Sequence, residues 1–424
     1  MLKRQREKSA FARSLFDAEL PDSWRLVPIG DVLVSTQYGL SEPGDIAGNL
    51  PIVGMRDLRG GTVNLVDLAT IDDGGNDWSS VRLRRGDILL NRTNSPDLVG
   101  KVGIVREDSK AVFASYLVRL TVDRELADPE FVNYWLNTGT AQKALKRLST
   151  RGVSQANINP TEFRKHCPLP LPPLSEQRQL AEILQTWDEA IEKSRHLFAR
   201  ARRRYICLVD QLLFEKLRRR GSAEEWKLRR LGEVTHELMR RNNGVALGRD
   251  AVMGVTNSKG IVPMREQSVG SNLSRYKILP PRAFAYNPMR INVGSIAMSR
   301  LECDVLVSPD YVLFECLNGK LDADFLDHLC QTRWWNHHIR AGGSGSVRVR
   351  TYYDDLAALQ LKLPCFNEQV DIVEILNAAR DETALLSRQI DALNRQKRGL
   401  MQKLLTGEWR VTVDQQAATR EVMA

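Results

Sequence analysis

The chain has 424 residues, of which 42% are hydrophobic, which is enough for several folded domains and argues against a disordered chain. No apolar segment approaches the roughly 20 residues that a membrane-spanning helix needs, and the basic residues 1–8 lack the apolar segment of a secretory signal. The formal net charge of +9 favours a polyanionic partner, although charge alone is a weak indicator.

The chain opens with a polar, basic lead-in at residues 1–22, and an internal repeat begins directly after it. Residues 24–32 read WRLVPIGDV, and residues 226–234 repeat this string as WKLRRLGEV. Further matches follow in the same order, among them residues 128–131 with residues 322–325. A repeat of this length predicts two related globular regions, each of normal domain size.

Each globular region is predicted to be mixed in structure. Short apolar runs such as 87–90, 102–105, 117–120 and 311–314 are separated by Gly, Asn and Asp, which is typical of strands joined by turns. A single helix is expected in each copy, over residues 129–148 and 323–340. Proline-rich segments follow and predict an extended exit from each globule.

Two long helices are predicted after these segments. Each opens with Ser or Asn before Glu-Gln, which we interpret as a helix N-cap with an acid in the first turn. Apolar residues then recur at alternating steps of four and three, which indicates a coiled-coil seam over nearly five heptads. The seam residues are Leu180, Leu184, Trp187, Ile191, Phe198, Tyr205, Leu208 and Leu212 in the first helix, and Ile372, Leu376, Leu386, Ile390, Leu393, Leu400 and Leu404 in the second.

The two seams keep one constant offset, so we expect the long helices to pair antiparallel with each other. The segment from Gly407 to Val411 repeats the string at Glu225-Trp226 a third time and then stops. This restart predicts near-circular closure, with the C-terminal segment close to the first globule. The fold class is therefore α+β: two mixed α/β globules related by a pseudo-twofold axis and joined by two long antiparallel coiled-coil helices.

These features together resemble the DNA-specificity subunit of type I restriction–modification enzymes. The resemblance covers the chain from about residue 20 and is most specific at the two Pro-…-Glu-Gln helix starts and at the ending KLLTGEWRV. It implies the following domains: a basic arm at 1–22, target recognition domains at 23–174 and 223–366, spacer helices at 175–222 and 367–406, and a tail at 407–424.

The resemblance also implies partners. Each target recognition domain would read one half of a bipartite, asymmetric site in double-stranded DNA. The helices would set the gap between the half-sites and dock two methyltransferase subunits, with restriction/translocase subunits joining outside. The chain itself would be non-catalytic and would bind no cofactor, because S-adenosylmethionine would be held by the methyltransferase partner.

Candidate DNA-binding residues are the Arg, Lys, Asn, Gln, Ser, Thr and Tyr side chains of Gly-flanked segments, since these can meet base edges and phosphates. In the first globule they are Arg56, Arg59, Asn91, Arg92, Thr93, Lys101, Arg151, Ser154, Gln155 and Asn157. In the second they are Thr256, Asn257, Lys259, Asn287, Arg290, Asn292, Ser344, Ser346, Arg348, Arg350 and Tyr352. Any one of them could instead be a solvated loop residue.

The sequence offers little for a catalytic or metal site. Residues 286–289 resemble only faintly the Asn-Pro-Pro-aromatic loop of adenine methyltransferases. The six cysteines are scattered without metal-ligand spacing, and we expect reduced, buried thiols in a cytoplasmic protein. The remaining alternative is a coiled-coil assembly or scaffold protein with two protein-binding modules. DNA binding would weaken steeply with salt, whereas apolar docking would not.

Overall fold

The computed structural model describes residues 19–41, 48–152, 155–217, 224–243, 247–257, 259–265, 269–341 and 350–411. The chain divides into two compact units. Met1–Ser194 and Gln389–Ala424 form the first unit, and Arg195–Arg388 form the second. Because this division follows contacts in space and passes through both long helices, the domain boundaries expected from the repeat stay a prediction.

The first unit is built around a six-stranded sheet. The strands of the whole unit are β1 (Arg25–Pro28), β2 (Leu33–Tyr38), β3 (Leu50–Val53), β4 (Leu58–Arg59), β5 (Thr62–Val63), β6 (Ala69–Ile71), β7 (Ile88–Asn91), β8 (Thr93–Asn94), β9 (Val102–Ile104), β10 (Val112–Phe113), β11 (Leu117–Val122), β12 (Ser149–Arg151), β13 (Ala156–Ile158) and β14 (Pro168–Leu171). The main sheet has the order β2-β11-β7-β9-β5-β4 and is antiparallel except between β5 and β9. A separate three-stranded sheet has the order β12-β13-β8 and carries several predicted site residues.

The helices of the first unit differ from the prediction at one point. They are α1 (Pro129–Leu136), α2 (Gly139–Leu148), α3 (Pro160–His166) and the first part of α4 (Leu174–Leu212). The single helix expected over 129–148 is wrong, because Thr138 ends one helix and begins the next. Its hydroxyl donates to the carbonyl of Trp135 at 2.7 Å and accepts from the amide of Ala141 at 3.2 Å.

The second unit has a four-stranded antiparallel sheet at its centre, of order β16-β23-β20-β21. The strands of the whole unit are β15 (Lys227–Arg230), β16 (Thr235–Glu237), β17 (Met253–Thr256), β18 (Gly260–Pro263), β19 (Lys277–Leu279), β20 (Phe284–Tyr286), β21 (Ile296–Met298), β22 (Val305–Val307), β23 (Val312–Cys316) and β24 (Gln360–Leu363). Its helices are α5 (Leu231–Val234), α6 (Ala323–Cys330), α7 (Arg333–Ala341), α8 (Tyr353–Ala357) and the first part of α9 (Phe366–Leu405). Thr332 separates α6 from α7 as Thr138 separates α1 from α2.

The same joint connects globule and long helix in both units. The repeated string forms β1 in one copy and β15 in the other, and each pairs antiparallel with the segment before the long helix, β14 or β24. The proline-rich exit is therefore a strand, which tolerates Pro168 and Pro170 because its sheet has only two strands.

The Glu-Gln pair at each helix start tightens this joint. Trp24 donates its indole N–H to Glu176 at 3.1 Å, and Trp226 donates to Glu368 at 3.3 Å. The long helices begin at Leu174 and Phe366, so Ser175 and Asn367 are their second residues and not their caps. In both copies the glutamate therefore joins the long helix to the start of the globule through a buried hydrogen bond. This role adds to that of the first-turn acid, which the sequence predicted.

The long helices pair antiparallel within each unit taken by itself. In the first unit Asp188 of α4 contacts Lys397 of α9, while Leu184 shares a buried cluster with Leu404. In the second unit Arg204 contacts Glu382, and residues near the end of α4 pack with residues near the start of α9. The predicted antiparallel pairing of the two copies is confirmed.

The C-terminal segment closes onto the first unit, as predicted. Arg410 reaches Glu176 at 3.0 Å and Ser23 at 3.2 Å, and Val411 packs against the core of this unit. Trp409 itself does not take a position like that of Trp226: it is half exposed, whereas Trp24 makes the hydrogen bond to Glu176 that corresponds to Trp226 with Glu368.

Three composition-based expectations can be compared with the described residues. None of their helices combines the length and apolar character that crossing a bilayer requires. They contain no cluster of three potential metal-ligating side chains. The cysteines are free thiols, but the expectation that all are buried is wrong, because Cys207, Cys303 and Cys365 are exposed.

Candidate nucleic-acid interface

In the first unit, several predicted DNA-binding residues meet on the sheet β12-β13-β8. Thr93 of β8 pairs with Asn157 of β13, which in turn pairs with Thr150 of β12. Backbone pairing therefore brings together residues more than 50 positions apart in the sequence, and it places Arg92 directly beside Asn157.

Arg92 is held by contacts on several sides. Its Nε donates to the carbonyl of Ser115 at 3.4 Å, and its Nη1 donates to Asn157 Oδ1 at 3.3 Å. The Cζ atom lies over the ring of Tyr38, 4.9 Å from its centroid, which is within cation–π distance. Arg92 is half-buried, and Tyr38 and Tyr116 beside it are both about half exposed.

Asn91 does not belong to this surface. It is fully buried in β7, so the prediction that it contacts DNA is contradicted. Successive residues of an extended chain point to opposite sides, and Arg92, not Asn91, is the one at the surface. Both polar atoms of the Asn91 side chain lack a hydrogen-bond partner among the described residues.

The other predicted residues of the first unit lie around this surface or outside the described part. Arg56, Arg59, Lys101 and Gln155 are exposed, and Thr93 and Asn157 are half-buried. Arg59 donates through Nε to the carbonyl of Arg56 at 3.1 Å. Arg151 belongs to β12 by its backbone, and Ser154 lies outside the described residues.

In the second unit, the turn between β17 and β18 meets the loop after β20. Asn257 donates from its amide to the carbonyl of Val293 at 2.7 Å. Gly294 has a φ of +88°, a backbone conformation that favours glycine, and a Cβ atom there would come within 2.6 Å of Asn257 Oδ1. This close approach brings the turn that carries Thr256 and Lys259 next to the loop that carries Asn292.

The loop after β20 carries the remaining described candidates. Asn287 is half-buried and caps the local turn through the amide of Met289 at 2.9 Å, while Arg290 and Asn292 are exposed. Arg340 of α7 donates to the carbonyl of Asn292 at 3.3 Å and adds a positive charge that the sequence analysis missed. Ser344, Ser346 and Arg348 lie outside the described residues, whereas Arg350 and Tyr352 are exposed and 3.3 Å apart at their polar atoms.

A polar cleft of about 490 Å³ adjoins the turn at Thr256. Its lining includes Lys259, Arg300 and Arg380. Arg300 and Arg380 both contact Asp324 and Asp327, at 2.6 to 3.6 Å, so their charges are already compensated. The cleft therefore offers Lys259 and amide groups, more than free arginine charge, to a ligand.

The predicted seam residues are all at least half-buried. Leu180, Leu184, Ile191, Leu212, Ile372, Leu376 and Leu404 are buried, and Trp187, Phe198, Tyr205, Leu208, Leu386, Ile390, Leu393 and Leu400 are half-buried. The basic run at residues 200–204 has four exposed arginines, of which Arg204 contacts Glu382.

Comparison with known proteins gives one consistent result. The family model for the type I restriction modification DNA specificity domain matches residues 21–197. The type I restriction enzyme MjaX specificity subunit of Methanocaldococcus jannaschii is 25% identical over 418 residues, covering 93% of this chain and 95% of that protein. The EcoBI specificity subunit of Escherichia coli is 27% identical over 183 residues, covering 41% of this chain and 37% of that protein.

A solved structure supports the fold. The S subunit of a type I restriction-modification system from M. genitalium aligns with a TM-score of 0.58 at 14% identity, covering 92% of this chain and 97% of that one. At this level of identity the similarity concerns the fold alone.

Proposed function

We propose that the chain is a DNA-specificity subunit of the type I restriction–modification family, since the family model matches residues 21–197 and a similar specificity subunit aligns over 93% of the chain. We propose further that each of its two globular regions reads one half of a split DNA target. The observation that carries the proposal is the repeated joint. Trp24 with Glu176, and Trp226 with Glu368, fix two globules to long helices in the same way, while the surfaces at Arg92 and at Asn257 differ. Two globules that are attached to the long helices in the same way but present different polar surfaces are suited to two different half-sites.

In this proposal the chain recognises DNA and catalyses no step itself. Methyl transfer belongs to two methyltransferase subunits that bind S-adenosylmethionine, and restriction/translocase subunits join the same complex. The cytoplasm, where its DNA substrate and these partners would meet, is the proposed location. Exposed arginines of the run 200–204 offer such partners or DNA phosphates a positive surface.

A domain exchange tests the proposal. Residues 23–174 are replaced by the corresponding region of a specificity subunit with a different target, and the methylated motif is determined by methylome sequencing with the methyltransferase subunits present. One half of the motif should change and the other should stay. A simultaneous change in both halves would contradict the assignment of one half-site to each globule.

Salt dependence separates the proposal from the scaffold alternative. We expect the affinity of the methyltransferase complex for its DNA target to fall steeply between 50 and 200 mM salt, because each Lys or Arg contact with a phosphate releases counterions. Binding is measured by fluorescence anisotropy with a labelled duplex. An affinity that does not change over this range would favour the scaffold alternative.

A further inference from the structure

The surface around Arg92 has a feature that distinguishes it from the other predicted contacts: its guanidinium is restrained before any ligand binds. Ser115 accepts from Nε, Asn157 accepts from Nη1, and the ring of Tyr38 lies against the guanidinium. A planar group with this many constraints loses little side-chain entropy when it binds, so its direction can discriminate between ligands.

The free donors of Arg92 lie at one end of the fork. Among the described residues, Nη2 takes part in no hydrogen bond, and Nη1 uses one of its two hydrogens for Asn157. Nη2 therefore keeps both of its hydrogens and Nη1 keeps one, so this pair of nitrogens still has donors for a ligand. This pair matches the O6 and N7 acceptors of guanine in the major groove.

Asn157 cannot read adenine in this arrangement. Its Oδ1 already accepts from Arg92 Nη1 at 3.3 Å and from the hydroxyl of Thr93 at 2.9 Å. A bidentate contact with adenine needs that oxygen as a free acceptor, and its two lone pairs are taken. The role left to Asn157 is to orient Arg92.

We propose, on the basis of the proposed function, that Arg92 reads a guanine in the half-site recognised by the first unit, with Tyr38 and Asn157 as positioning residues. Tyr38 was not among the residues that the sequence singled out. Its contribution depends on the ring face, and that of Asn157 depends on a side-chain acceptor.

The test measures discrimination at each position of the wild-type motif. The complex with methyltransferase subunits is bound to duplexes in which each base pair is substituted in turn. Arg92→Lys keeps the charge but loses the planar fork, so discrimination at one G·C pair should fall by roughly 5- to 150-fold. Arg85→Ala is the control for Arg92→Ala, because Arg85 is an exposed arginine before the opposite end of β7.

Conservative pairs test the positioning residues. Tyr38→Phe and Asn157→Asp keep the ring and the acceptor, and should preserve discrimination at this pair. Tyr38→Ala and Asn157→Leu should relax it at the same pair and nowhere else. Thermal unfolding is measured for every variant, and the Tyr38 and Asn157 pairs carry the test if the Arg92 variants do not fold.

Several results would overturn the inference. These are a first-unit half-site without a G·C pair, relaxation at an A·T pair, discrimination unchanged in both Arg92 variants, or weaker binding to all duplexes alike, which would indicate a phosphate contact. If the wild-type complex has no sequence preference, the proposed function itself fails.

Discussion

At the scale of residues, each unit contains a polar network where the globule meets both long helices. In the first unit Asp188 accepts from the hydroxyl of Tyr134 at 2.6 Å, and it contacts Arg106 at 3.4 Å and Lys397. Burial, followed by the negative charge of Asp188, raises the pKa of Tyr134, so this hydroxyl remains a donor. Lys397 is a charged residue between the seam residues Leu393 and Leu400 of α9.

The second unit builds its network from different residues at repeat-related positions. Burial alone would raise the pKa of Asp324, but the hydrogen bond and charge of Arg282, with Arg300 and Arg380, lower it below its ordinary value. His328 takes the place of Tyr134 and contacts Tyr205 at 2.8 Å and Asn377 at 2.9 Å. Both units therefore have a polar network at repeat-related positions, but different charged and polar residues form it.

We predict that Asp188→Asn destabilises the protein more than Lys397→Met. Removing the carboxylate charge leaves Lys397 buried without an ionic partner, at a cost of about 3 kcal/mol. Removing Lys397 leaves Asp188 with Tyr134 and Arg106, and we expect a cost of about 1 kcal/mol. The free energy of unfolding in urea measures both. Equal costs, or the reverse order, would show that Asp188 does not organise the network.

A second residue-scale prediction concerns pH. Burial, and then the charge of Arg380, lower the pKa of His328 below its ordinary 6.5. As pH falls below 6.5, the unfolded chain binds a proton before the folded chain does, so stability decreases with falling pH. His328→Gln should therefore lose less thermal stability than the wild type between pH 7.5 and 5.5. The same loss in both proteins would contradict this.

At the scale of elements, the start of each long helix is tied to the globule through one glutamine. Gln177 accepts from the amide of Asp128 at 2.9 Å and donates to the carbonyl of Pro172 at 2.9 Å. Gln369 makes the same two bonds with Asp322 at 2.8 Å and Pro364 at 3.1 Å. Each glutamine thus joins the start of a long helix to the N-cap residue of a short helix, α1 or α6.

We predict that Gln177→Leu and Gln369→Leu each cost about 2–4 kcal/mol, because each leaves a part-buried backbone amide and a buried carbonyl without their side-chain partner. Differential scanning calorimetry of the full chain measures the loss. Gln179→Leu, two residues along α4 and half-buried, is the matched control and should cost less. A control that is as damaging as Gln177→Leu would argue against the tie.

The end of α9 supplies another element-scale prediction. Gly407 has a φ of +78°, and a Cβ atom there would meet Pro21 at 2.5 Å. Gly407→Ala should therefore cost at least about 1–2 kcal/mol and loosen the closure of the C-terminal segment. Gly399→Ala is the control with the opposite sign, since no atom lies near its Cβ and helix propensity favours alanine by about 1 kcal/mol. Thermal unfolding compares the two, and destabilisation by both would contradict the argument.

At the scale of the whole molecule, α4 and α9 each run without interruption through residues of both units. We propose that their length sets the gap between the half-sites. Inserting seven residues after Ser194 and seven after Arg388 keeps the heptad register and lengthens each helix by roughly 10.5 Å. The gap should widen by about three base pairs at ~3.4 Å each, as read by methylome sequencing.

Four-residue insertions at the same places serve as a control, because they disrupt the heptad register. They should impair the helix pair more than the seven-residue insertions do. A methylated motif with an unchanged gap after the seven-residue insertions would exclude the helices as the determinant of spacing.

The sequence by itself determined the repeat, the mixed α+β globules, the long paired helices and the closure of the C-terminal segment. These follow from the periodicity of apolar residues and from repeated strings of residues, both of which can be recognised in the sequence. Only the tertiary structure decided that the proline-rich exits are strands, that Asn91 is buried, and that Asn157 supports Arg92. Strand pairing and its register decide which of two adjacent polar residues faces the core, and they join residues that lie far apart in the sequence.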